Sequence, residues 1–179
     1  MGAIMKTFVS ILAATIAMTS IGSAQAQSNA RPTAPARSST TIVTWVTEAD
    51  LRALVLAEGH TIDEMHPFEA PSVRGKTKEG LVFVLIGTAC SVKGAPGCQG
   101  VMMQVRYDSD DTVTVEGVNK SNMSQAAVST WWDKKEKTVG FTRYVVLDDG
   151  VTWMNLRQNL RVLLSIQDKA KSDVFPDQK

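Results

Sequence analysis

The stretch from Leu81 to Tyr107 constrains the fold more than any other part of the chain. It opens with a continuous apolar run, LVFVLIGTA, reaches Cys90, crosses the loop SVKGAPG, and resumes at Cys98 with a second apolar run. Two such runs joined by a Gly- and Pro-containing loop predict a β-hairpin. The first arm is apolar on both faces, as expected of a central strand covered on both sides or lying under a helix. In the second arm Val101, Met103, Val105 and Tyr107 point one way and Gln104 and Arg106 the other. That arm is expected to bury one face and turn the other to solvent.

The flanking segments supply helices and further strands. Thr47 reads as an N-cap with Asp50 at the third helical position, and Val46 and Leu51 stand at the positions of a hydrophobic staple. The predicted helix runs through LRALVLAE to Gly59, with Leu51, Leu54 and Val55 on its buried stripe. His60 to Pro67 and Ser72 to Lys76 are expected strands, followed by a turn at Lys78, Glu79 and Gly80. After the acidic turn Asp108–Asp111, Val113, Thr114, Val115 and Val118 slightly favour a strand, although the segment to Asn122 also permits a helix. Ala126 to Asp133 and Thr138 to Leu147, joined by KKEK, predict a second hairpin ending at Asp148, Asp149 and Gly150. Thr152 caps a last helix with a stripe of Leu156, Leu160, Leu163 and Leu164. The remaining 168–179 segment has a proline and no periodicity, and is expected to fray.

Charge and cysteine usage are read through the N-terminus. Lys6 precedes the charge-free apolar run TFVSILAATIAMTSIG, and Ala24, Gln25, Ala26 offer a small-residue cleavage site. Residues 1–26 are therefore expected to be a secretory signal peptide, placing the mature chain in the periplasm or outside the cell without stable membrane insertion. Residues 27–41, rich in small and polar residues with two prolines, read as a flexible linker to a domain spanning 42–167. Cleavage leaves 18 basic and 18 acidic residues. That balance argues against nucleic acid or an anionic membrane as the main partner. In an oxidising compartment, a lone cysteine pair eight positions apart around Gly94, Pro96 and Gly97 is expected to form a structural disulfide, with free thiols as the alternative.

The apolar strand leading to Cys90, Cys98 at the start of the next, VNKSN at 118–122, the strand ending in Leu147-Asp148-Asp149-Gly150, and the closing GVTWMNLRQNL together carry a resemblance. Over about Val46 to Ser165 the chain resembles the YbjN-domain family, which bears the label of bacterial sensory transduction regulators and whose fold is similar to that of type III secretion chaperones. Asn119 and Asn122 and the Gly-Val-Thr before the last helix are its better signals. The resemblance implies a helix over Thr112 to Met123. It also implies an α+β fold, an antiparallel β-sheet packed against helices in the order α-β-β-β-β-α-β-β-α, and it makes a homodimer an expectation. No catalytic residues are established for that family, so none carry over. The chain departs from the pattern at Trp131 and Trp132 and in a long strand pair after Asn122.

Among chemical constellations, His60, Glu64 and His66 would share one face of a strand and offer two imidazoles and a carboxylate to a zinc ion. Their spacing matches no strong motif, and exposed edge-strand residues are the simpler reading. A metal-dependent envelope hydrolase on these residues is thus the alternative to a non-enzymatic protein without metal or cofactor. There is no Gly-x-Ser-x-Gly elbow, phosphate loop or EF-hand. Trp131 and Trp132, adjacent on a predicted strand, must face opposite sides of a sheet. One is then core and the other either covered by a helix or exposed, and the pair are the candidate anchors for a protein or peptide partner in a regulatory or stress-related role.

Overall fold

The structure, a computed structural model, describes residues 37–64 and 69–176. The expected signal peptide, linker residues 27–36, His66 and the last three residues lie outside the described residues. In chain order the elements are β1 (Ile42–Val43), α1 (Glu48–Ala57), β2 (Thr61–Asp63), β3 (Ser72–Lys76), β4 (Val82–Cys90), β5 (Cys98–Asp108), α2 (Val115–Ser124), β6 (Ser129–Asp133), β7 (Thr138–Val146), β8 (Val151–Thr152) and α3 (Trp153–Val174). The fold is α+β. Strands β2-β3-β4-β5-β7-β6 form one antiparallel sheet, and β1 pairs separately with β8. The long hairpin is β4–β5, with Leu85 opposite Met103 and Cys90 opposite Cys98, whose sulfurs are bonded.

Each helix begins where side-chain chemistry satisfies its first amides. Thr47 and Asp50 form a reciprocal capping box on α1, and Gly59 beyond its end adopts φ +75°. The Thr114 and Thr152 hydroxyls accept from the amides of Gly117 and Asn155 to start α2 and α3. All three helices lie on one face of the sheet. There Val73, Phe83, Leu85, Val101, Met103, Val105, Val139, Phe141 and Val145 pack with Leu51, Leu54, Leu156, Leu160 and Leu163 in a continuous core.

Several expectations are corrected. The slight strand preference after Asp111 gives way to α2, because Thr114 caps it and its Ser121 and Asn122 bond to Thr130 of β6. The frayed tail from residue 168 is instead the end of α3. Its buried stripe runs Leu156, Leu160, Leu163, Gln167, Ala170, Val174, and Phe175 closes it. The polar Gln167 hides this periodicity in sequence, yet its amide oxygen accepts from the half-buried Tyr107 hydroxyl. Linker residues 37–41 make contacts with the start of α3 and with α1. The Thr41 and Ser39 carbonyls accept from the amides of Trp153 and Met154, at 2.7 and 3.0 Å, while Arg37 pairs with Asp50. These contacts run mostly through backbone atoms and leave no trace in residue type. Finally, Gln104 is only 5% exposed, against the expectation that it meets solvent. Its side chain bridges between strands to Thr142 and accepts from Arg106.

Candidate functional site

The sheet has a second face, and no described helix packs on it. Val84 and Ile86 of β4 are buried there, whereas Tyr144 and Val146 of β7 are exposed. On its β7–β6 side Trp131 pairs directly with Gly140 across the β6–β7 ladder. The indole lies flat on the glycine: a Cβ built on Gly140 would fall 2.1 Å from Trp131 Cζ2. Such close backbone approach is what an isolated glycine in a strand permits. The indole N–H donates to Thr142 Oγ1 at 2.8 Å, Gln104 donates to the same hydroxyl at 3.0 Å, and Arg106 lies 5.6 Å from the Trp131 ring centroid. Tyr144 repeats the device. Its ring crosses Gly100, where a Cβ would meet the phenol oxygen at 2.3 Å, and its hydroxyl reaches Thr88 at 2.9 Å. Tyr144 and Val146 are 52% and 62% exposed. The result is a platform of aromatic and apolar surface whose side chains are already held in place.

Trp132 sits on the opposite face, as strand alternation requires, packed against the core with the Lys134 ammonium 4.5 Å from its ring. The two tryptophans therefore do not form one surface. Gly140, Thr142, Tyr144 and Arg106 were not singled out from sequence. The available signal was the lone glycine directly after Thr138-Val139, inside an otherwise regular strand pattern.

A cleft of about 840 Å³ opens on the helix side where α1 stops short of the end of the sheet. Leu81, Val82, Tyr107 and Leu164 line it, with Glu58, His60, Arg161 and Asp168 among its polar groups. Glu58 is paired with Arg161 and Arg157, and Asp168 accepts from the Gln167 amide. Burial raises the Glu58 carboxyl, but hydrogen bonds from Arg161 and Arg157 and their charges outweigh it and hold the group below the ordinary carboxylate value. Burial, aided by the Asp168 charge, pushes the Tyr107 phenol up to about 12. Both shifts lead away from neutrality, opposite to the tuning of a general acid or base.

The proposed metal trio does not come together among the described residues. Glu64 is turned to Arg52 at 3.1 Å, and the His60 ring stands edge-on to Phe83 at 5.4 Å. His66 lies outside the described residues. Among the described residues no group of three His, Cys, Asp or Glu side chains is placed to hold a metal ion. No described helix is long and apolar enough to cross a membrane.

No family model matches the chain, and no curated protein matches it in sequence. Two solved structures are similar in fold. One is a chain of the ExsC–ExsE complex, with a TM-score of 0.46 and 13% identity over 69% of this chain and 90% of that one. The other is a chain of the HopA1–SchA chaperone–effector complex, with a TM-score of 0.44 and 10% identity over 61% of this chain and 84% of that one.

Proposed function

We propose that this chain is an exported, non-enzymatic binding domain related to the YbjN-domain proteins, which holds an extended segment of a protein partner on the β7–β6 side of its sheet. The observation that carries this reading is Trp131, laid flat on Gly140 with its N–H bonded to Thr142 and Arg106 alongside. An aromatic side chain fixed before the partner arrives loses little conformational entropy on binding, which is what makes a good interface anchor. Tyr144 and Val146 extend the same surface along β7. Trp132, packed against the core, has a structural role instead.

The test is affinity capture of the tagged mature protein from envelope extract, comparing wild type, Trp131→Ala and Trp132→Phe, with each fold checked by circular dichroism. A partner held by wild type and Trp132→Phe but lost from folded Trp131→Ala supports the reading. Equal capture by all three overturns the site, and capture of nothing specific overturns the binding function. N-terminal sequencing of the protein from a periplasmic fraction tests export, with Gln27 as the expected first residue.

A further inference from the structure

We propose that Cys90 and Cys98 form a one-sided thiol-exchange site, at which an external thiolate attacks Cys90 alone and releases the 91–97 loop while the rest of the fold stays in place. The bond joins two unlike environments. Cys90 is exposed at the end of β4, whereas Cys98 has no accessible surface and belongs to the core. Its Sγ packs so closely on Gly87 that a Cβ there would come within 2.6 Å.

Exchange requires a thiolate to reach one sulfur along the S–S axis, so access decides which sulfur is attacked. In the first step the incoming thiolate sulfur bonds to Cys90 Sγ and the Cys90–Cys98 bond breaks. Its electron pair leaves on Cys98 Sγ, which takes up the proton that the incoming thiol gave up on ionising. A second thiolate then attacks the external sulfur of the mixed disulfide. The two external thiols leave as their own disulfide and Cys90 leaves as a thiolate, so the protein gains two electrons and the thiols lose two. Within the mixed disulfide, Cys98 is also placed to attack Cys90 and restore the original bond.

The two ends respond differently. Ala89 and Ser91, on either side of Cys90, are non-glycine residues held in the left-handed region at φ +49° and +59°. Once the bond opens they are free to relax, and with them the loop bond from the Ser91 amide to Gly97 O at 3.2 Å. Cys98 is anchored independently of its sulfur. Its amide donates to Val46 O at 2.8 Å, and its carbonyl accepts from the Val46 amide at 2.9 Å. Reduction thus changes the position of an exposed loop that includes Val92 without releasing the N-terminal segment from the hairpin.

The full mature protein is incubated with reduced glutathione, quenched in acid and mapped by peptide mass spectrometry. The expected result is glutathione on Cys90 only. After full reduction, maleimide is expected to label Cys90 at least about 100-fold faster than Cys98, which reacts only when the core opens. Amide hydrogen exchange should quicken across 91–97 and stay unchanged at Val46 and Cys98. Adducts on Cys98, comparable labelling rates, loosening at Val46, or a bond that resists excess glutathione until denaturant is added would each overturn the proposal. Cys98→Ala and Cys90→Ser report each thiol separately, and in the folded state only the former should label.

Discussion

Replacing Gly140 with alanine tests the platform directly. The new Cβ would fall 2.1, 2.2 and 2.7 Å from Trp131 Cζ2, Cε2 and Nε1, far inside the ~3.5 Å at which carbon atoms come to rest. Because the ring lies on an open face it can leave, and its losses can be summed. The bond to Thr142 is worth about 1 kcal/mol net. About 60 Å² of indole face returned to water contributes roughly 1.5 kcal/mol, and the Arg106 contact adds about 0.5 kcal/mol. Alanine in a strand returns about 0.5–1 kcal/mol relative to glycine. The net loss is about 2 kcal/mol, or a melting temperature roughly 4–8 °C lower. The assay is a double-mutant cycle with Trp131→Ala, read by urea unfolding. Without the indole, Gly140→Ala has nothing to displace and should be neutral or slightly stabilising, which leaves a coupling of about 2–3 kcal/mol. A coupling under about 0.5 kcal/mol would refute the argument that the glycine exists to seat the tryptophan.

Three further outcomes follow from particular contacts. Trp132 Nε1 is buried without a hydrogen-bond partner, so Trp132→Phe removes an unmet donor worth about 1–3 kcal/mol. That offsets the packing lost with the fused ring, so urea unfolding should place the variant within about 1 kcal/mol of wild type. Glu58, 5% exposed between Arg157 and Arg161, should lose about 1–2 kcal/mol on Glu58→Gln at pH 7, a figure discounted for the partial exposure of Arg161. Because its carboxyl is held below the ordinary value of 4.5, this stabilisation is complete above that pH and fades as pH falls through the lowered pKa. Thermal melts of the two proteins should therefore converge in acid, and a constant difference would count against the ion pairs. Asn122 clamps the outer edge of β6, accepting from the Thr130 amide at 2.8 Å and donating to its carbonyl at 3.0 Å. Asn122→Ala should uncover that edge and give concentration-dependent association in gel filtration.

The parts of this fold that were legible in sequence are those written in side-chain type. Thr47 and Thr152 are caps, the Cys90–Cys98 hairpin is a run of apolar residues, and Gly150 marks a turn where φ is +90°. The parts that stayed hidden are written in pairings between distant residues. Gln167 looks like the end of an apolar stripe until Tyr107, on another strand, supplies its partner. Ser39 and Thr41 look like linker until their carbonyls meet the first amides of α3. At the site, strand alternation alone separated Trp131 from Trp132, but which of them faced the helices depended on the register against β7, where Gly140 falls opposite Trp131. The resemblance supplied the helix at α2, which local propensity would have given to a strand.

The capping of α3 by residues 39 and 41 ties the order of synthesis to the order of folding. The longest described helix is also the last of the described elements, and its first two amides are satisfied by carbonyls from the first described segment, which also pairs through β1 with β8. The loop closed by this junction spans most of the domain, and such distant closures come late because their chain entropy is lost before their contacts form. The domain should therefore stay incompletely folded on the ribosome until α3 is released. A truncation within α3 should leave the N-terminal segment unlocked even though no residue of that segment has changed.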